Sequence, residues 1–255
     1  FIYEENMNRL TILGSAFAVA NRNQENAYLL IQTRSNTVLI DCGNNPVGKL
    51  EQIGVTINQI TDLILTHAHS DHMGALPLLL MDMWLNKRQT PLKIYGLAYT
   101  LEKAKALLAI YNWEGWQGMF QVEFLPVSAE TKQEIIHAKE LSISVAPVKH
   151  LIPTVGVRIS FVEIHKTFVY SCDTEPCKGL DQLATGADLL IQESAGPAKG
   201  HTSPEEAGDT ADRAGVKELV LIHYDASRPE DDLLARASSK FKGKVSLAKD
   251  LVFFE

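Results

Sequence analysis

Apolar residues along this chain fall in short runs, each closed by polar or turn-forming residues, and the runs alternate with stretches of helical spacing. The runs at 10–14, 27–33, 37–41 and 62–66 predict strands, the second and third forming a hairpin that turns at Ser35-Asn36. A short helix over 47–53 closes at Gly54, and 73–85, apolar almost throughout, predicts a helix packed on a sheet. Pro77 is tolerated there because it falls in the first turns. Strands at 92–96, 122–126, 133–138 and 141–148 follow, with a helix at 99–111 and a Gly-containing loop that carries Trp113 and Trp116. Residues 155–163 and 166–171 form a hairpin around Ile164-His165, which makes His165 a turn residue; His137 lies on an alternating, solvated strand.

Beyond Asp173 the pattern becomes strand and helix in alternation: a helical piece at 180–183, strand 188–192, helix 203–214 opened by a Ser-Pro cap, strand 217–222, helix 230–241 and a closing strand region at 245–254. Strands come first in each half and helices later. That order fits an α/β, four-layer αβ/βα sandwich: two mixed sheets face to face, with helices on both outer faces. No linker, low-complexity segment or short repeat divides the chain, so 10–255 is expected to be a single domain. Residues 1–9 read as a leader or expression remnant, with Met7 a candidate start.

Composition mainly excludes. At 255 residues, 45% hydrophobic and 22% charged, the chain is an ordinary globular sequence able to bury a large core. No apolar run is long enough to cross a membrane, so no membrane partner is expected. A net charge of -7 gives no global pull on nucleic acid. The three cysteines, Cys42, Cys172 and Cys177, are too few for a disulfide framework and imply a reducing, cytoplasmic setting. Cys172 and Cys177 read as structural thiols rather than metal ligands.

The chemistry is concentrated in THAHSDHMG, Thr66 to Gly74, which follows the apolar Leu63-Ile64-Leu65. In extended chain alternate side chains share a face, so His67 and His69 can reach one metal ion. Asp71 and His72 follow where the chain bends into a helix and face elsewhere. Two donor groups with different aim suit a pair of ions better than one. Four more chemical residues lie just past apolar strands: His150, Asp173, Glu193 and His223. Loops at strand ends carry sites because the rigid sheet fixes them.

With His67-Ala68-His69-Ser70-Asp71-His72 in place, the sequence resembles the metallo-β-lactamase superfamily, whose signature is HxHxDH. Within it the chain is most similar to the tRNA 3′-processing endonuclease (RNase Z) branch, through LGS at 13–15, Asp173-Thr174, ADLLIQES at 187–194, GHTSPEEAG at 200–208 and VLIH at 220–223. The resemblance implies that His67, His69 and His150 hold one divalent metal ion, that Asp71, His72 and His223 hold a second, and that Asp173 bridges them. Zn²⁺ suits these donors, and Mn²⁺ or Fe is also accommodated. The pair would activate a bridging hydroxide for attack on a phosphoryl or acyl centre. Asp71 is then the candidate general base, while His201, oriented by Glu193, stands beside the leaving group as acid or oxyanion stabiliser. Arg228 is a candidate phosphate contact, although its spacing from His223 is one residue longer than usual. The branch also implies a homodimer.

The sequence departs from that branch in several places. The tRNA-clamping arm, usually inserted between the third ligand and the bridging aspartate, has no room between His150 and Asp173. Cys172 replaces a usual Gly, and Gln192 a frequent His. The expectation is therefore a phosphodiesterase acting on a small diester, cyclic phosphate or nucleic-acid-derived substrate. Genuine tRNA 3′-end cleavage is the alternative, followed by lactone, thioester or β-lactam hydrolysis. A non-enzymatic metal-binding scaffold ranks last, since every ligand position is filled.

Overall fold

The computed structural model describes residues 8–255. Residues 1–7 of the expected leader lie outside the described residues. The first sheet is built from β1 (Arg9–Gly14), β2 (Tyr28–Gln32), β3 (Thr37–Ile40), β4 (Asp62–Ile64), β5 (Leu92–Leu97) and β6 (Val122–Val127). β1 to β3 pair antiparallel, and β3 to β6 continue in parallel. Against it lie α1 (Val47–Gln52), α2 (Ser70–Met73), α3 (Leu76–Leu85) and α4 (Ala98–Ala109).

The second sheet repeats this plan with β7 (Gln133–His137), β8 (Leu141–Val148), β9 (Thr154–Phe161), β10 (Lys166–Tyr170), β11 (Leu189–Glu193), β12 (Glu218–Ile222) and β13 (Lys244–Leu247). The first four are antiparallel and the last three join in parallel. Its helices are α5 (Lys178–Ala184), α6 (Pro204–Ala214) and α7 (Glu230–Ser238), and β14 (Phe253–Phe254) returns to pair with β1.

Strand alternation divides the apolar side chains among three cores. Ile12, Ile31, Val157, Ile159 and Ile191 meet between the sheets. Leu13, Leu30 and Leu63 face the α3–α4 layer, and Leu190, Leu219 and Leu221 face α5 to α7. The four-layer expectation holds.

Two elements differ from the sequence reading. The helix expected at 73–85 begins earlier, as α2, and resumes as α3 after Gly74-Ala75. A tight crossing fixes this start: Cys42 N–H donates to His72 O at 2.7 Å and Ala75 N–H to Cys42 O at 3.0 Å. Gly43 makes the crossing possible, because a Cβ there would sit 1.7 Å from the Asp71 carbonyl oxygen. The closing strand region is likewise split between the two sheets, as β13 and β14. Between them the Asp250 carboxylate accepts from Ser15 Oγ at 2.7 Å and Lys49 Nζ at 2.7 Å, tying the bend to the first sheet's layer.

Candidate metal centre

The site forms where strands of both sheets end. His67 follows β4, His150 follows β8, Asp173 follows β10, His223 follows β12, and Asp71 and His72 lie in α2. A backbone bond from Val155 N–H to Thr66 O, 3.1 Å, joins the two sheets at this rim.

The ligand atoms converge in two groups. Four ligands placed tetrahedrally at about 2.1 Å from a zinc ion lie about 3.4 Å from one another. In the first group His67 Nε2 is 3.0 Å from His69 Nδ1, and His150 Nε2 is 3.2 Å from that same atom. Asp173 Oδ2 stands 4.0 Å from His67 Nε2 and 3.9 Å from His150 Nε2. In the second group His72 Nε2 is 3.5 Å from Asp71 Oδ2 and 3.4 Å from Asp173 Oδ1. His223 Nε2 is 3.5 Å from Asp71 Oδ2 and 3.4 Å from Asp173 Oδ2. Asp173 belongs to both groups. Buried His72 Nε2, His223 Nε2 and Asp173 Oδ1 have no hydrogen-bond partner among the described residues. Left so they would cost stability, and a cation answers all three. These residues fit divalent ions of the zinc type.

The electrostatics of the first group agree. Burial depresses the proton affinity of His67, His69 and His150, favouring the neutral imidazole a metal needs. Burial acts the same way on His72, but Asp173 and Asp41 outweigh it and hold its pKa well above the usual value. Burial opposes ionisation of Asp173, yet facing His223 and His72 hold its carboxyl well below the usual range.

Sequence reasoning missed the residue that aims these ligands. Asp41, fully buried just past β3, accepts from Thr66 N–H at 2.8 Å, Thr66 Oγ1–H at 2.7 Å and His72 Nδ1–H at 2.9 Å. Thr66 Oγ1 in turn lies 3.1 Å from His67 Nδ1. One carboxylate thus fixes His72 directly and His67 through a hydroxyl, one histidine in each group. His150 Nδ1–H is fixed separately by Gly200 O at 2.6 Å. The signal was present: Asp41 also lies just past an apolar strand.

Cys172, buried in the left-handed region at φ 53°, donates through Sγ to Thr66 Oγ1 at 2.8 Å and lies 3.5 Å from His67 Nδ1. Its thiol therefore packs behind the ligands, and its pKa is driven up by burial.

Glu193 and His201 form a pair beside the ligand groups. Glu193 Oε1 accepts from Thr174 N–H, Thr202 N–H and His201 Nδ1–H at 3.1, 3.1 and 3.0 Å, and Oε2 accepts from Ala195 N–H at 2.9 Å. Hydrogen bonding to Glu193 raises the His201 pKa. His201 Nε2 has no hydrogen-bond partner among the described residues, and the ring lies on a cavity of about 290 Å³ that His69, Asp71, Asp173 and His223 also line. The Ser203 cap of α6, with its reciprocal Glu206 contact, anchors the loop from the other side.

Arg228 is not brought to this cavity. Its guanidinium is half exposed and 3.9 Å from Asp225, three residues back on the same exposed turn.

A family model described as "Anti-Pycsar protein Apyc1" matches residues 8–248, nearly the whole chain. The chain belongs to the Apyc1 family. The family is RNase Z-like: a Ribonuclease Z of Mycolicibacterium gilvum is 32% identical over 274 aligned residues, covering 96% of this chain and 95% of that protein. Among solved structures, the metallo-β-lactamase-fold protein YhfI of Bacillus subtilis matches with TM-score 0.79 and 24% identity over 96% of this chain and 98% of its own. The short form of human tRNase Z matches with TM-score 0.75 and 20% identity over 97% and 98%. This Apyc1-family chain therefore has the metallo-β-lactamase fold, and with its His/Asp clusters it is a metal-dependent hydrolase of that fold. No helix among the described residues is long and apolar enough to cross a membrane.

Proposed function

We propose that the chain is a dinuclear phosphodiesterase acting on a small cyclic phosphodiester of the cyclic-nucleotide class. The observation that carries this reading is Asp173 shared between two ligand groups, with His201, held by Glu193, on the same small cavity. The Apyc1 family match, associated with cyclic-nucleotide phosphodiesterases, supports it. His67, His69, His150 and Asp173 would hold one ion, and Asp71, His72, His223 and Asp173 the other. Bound divalent ions would supply Lewis acidity to the phosphoryl oxygens and acidify the attacking water.

The remaining steps belong to the chain's own residues. Asp71, at the cavity wall, takes the proton of the water whose oxygen attacks phosphorus. His201 Nε2–H gives its proton to the oxygen released as the P–O bond breaks, while Glu193 holds the ring in place. One ester bond of the ring is cleaved, and a single product leaves that carries both the phosphomonoester and the freed hydroxyl. The three free thiols suit a reducing cytoplasm, and we assign a homodimer by likeness to the RNase Z branch.

A second reading, tRNA 3′-end cleavage, is favoured by the identity to Ribonuclease Z. Against it, β9, a four-residue turn at 162–165 and β10 occupy almost all the chain between His150 and Asp173, leaving no inserted arm. A substrate panel on the metal-loaded protein separates the readings: a 3′,5′-cyclic nucleotide, an aryl phosphodiester, precursor tRNA, a lactone, a thioester and a β-lactam. Turnover of the cyclic nucleotide is expected. Cleavage of precursor tRNA without cyclic-nucleotide turnover would replace this reading with the second.

A further inference from the structure

Beside the metal cavity lies a larger cleft of about 850 Å³, formed by the loop after β1 and the turn after β12. Its volume falls in the range of small-molecule sites. Phe17 lines the two cavities at once. Its place is fixed from several sides. Ala16 forms bridges with both Asn26 and Tyr224, and the Phe17 carbonyl accepts from Asn26 Nδ2–H at 2.8 Å. The backbone at Phe17 is therefore fixed, and the half-buried residue stands between the metal cavity and the cleft.

The cleft's floor is built, and part of its wall is unspent. Gln24 Nε2–H donates to Tyr224 Oη at 2.9 Å and to Ser15 Oγ at 3.0 Å, and Tyr224 Oη–H donates to Ala248 O at 2.8 Å. Above this floor the Arg22 guanidinium and the Asn23 carboxamide, both lining the cleft, have no side-chain partner among the described residues. An aromatic face, a planar cation and an unpaired amide are the groups that bind a nucleobase: the faces stack and the amide reads an edge.

We propose that this cleft is the base-binding subsite of the enzyme, with Phe17 the stacking platform that holds the base while the cyclic phosphate lies in the metal cavity. The inference rests on the phosphodiesterase reading for its substrate, and its test does not depend on turnover. Phe17 is a specificity-determining residue here. It touches the base, and base-free substrates do not need it.

The experiment pairs binding with kinetics. Calorimetry on the metal-free protein measures binding of a nucleoside 5′-monophosphate against ribose 5-phosphate, for wild type, Phe17→Ala and Phe17→Tyr. The nucleotide is expected to bind at least about tenfold more tightly than the sugar phosphate, as one base–aromatic contact provides. Phe17→Ala should remove that margin and Phe17→Tyr should keep it. On the metal-loaded enzyme, Phe17→Ala should raise KM for a 3′,5′-cyclic nucleotide about tenfold more than KM for a base-free ribose cyclic phosphate. Equal binding of nucleotide and sugar phosphate by wild type, or an unchanged margin in Phe17→Ala, overturns the inference. A nucleotide margin that depends on Phe17, in an enzyme that hydrolyses no diester, would uphold the subsite and refute only the reaction.

Discussion

Asp41→Asn is the most informative change outside the ligands. In the wild type the buried carboxylate takes three donors from Thr66 and His72 within 3.0 Å. If the new amide keeps its oxygen on Thr66 N–H, its NH₂ faces the Thr66 hydroxyl and His72 Nδ1–H, so two bonds of about 1.5 kcal/mol each are at risk. The network can recover part of this. The Thr66 hydroxyl can turn, and His72 can give up its Nδ1 proton, keep the one on Nε2 and accept from the amide.

That recovery leaves a proton on the His72 atom that faces Asp71 and Asp173. Metal affinity is therefore expected to fall more than stability: about 10- to 100-fold in affinity, the usual loss for such supporting carboxylates, against about 1 to 2 kcal/mol in folding. Both ions should weaken, because Asp41 also reaches His67 through Thr66. Urea unfolding of the metal-free protein gives the stability, and zinc titration by calorimetry gives the affinities. A folded Asp41→Asn that binds both ions as tightly as wild type would refute the reasoning.

Gly43→Ala should cost about 3 kcal/mol or more, because its Cβ would meet the Asp71 backbone carbonyl at 1.7 Å and neither backbone can move freely. Urea unfolding checks this, and a loss under about 0.5 kcal/mol would mean that the loop relaxes cheaply. His201→Ala should slow a cyclic or alkyl diester by about 10²- to 10⁴-fold in kcat and a nitrophenyl diester much less, since an activated leaving group needs no proton. Equal losses on the two substrates would remove His201 as the proton donor.

The candidate ligands were legible from their places: His67, His150, Asp173 and His223 follow apolar strands, a place the sequence states directly, and His69, Asp71 and His72 stand in the HxHxDH run. Asp41 satisfied the same rule and was missed because its use depends on pairing: β3 and β4 are parallel neighbours with Ile40 opposite Ile64, which brings Asp41 beside Thr66. One strand read alone carries no such register. The division of 245–254 was hidden for another reason. No Gly or Pro marks the bend, which is held by Asp250 contacts to Ser15 and Lys49 more than two hundred residues away. The role of Phe17 was equally silent in sequence, since an aromatic in an Ala-rich loop gains meaning only from the two cavities it divides.

The central claim is that the two ligand groups hold two ions and that hydrolysis of a cyclic phosphodiester needs both. Zinc added stepwise to the metal-free protein, with bound metal and 3′,5′-cyclic nucleotide hydrolysis followed together, tests it most directly. The expected result is saturation near two ions per chain, with turnover rising as the second is bound. Saturation near one ion, or two bound ions with no turnover of the cyclic nucleotide, would contradict it.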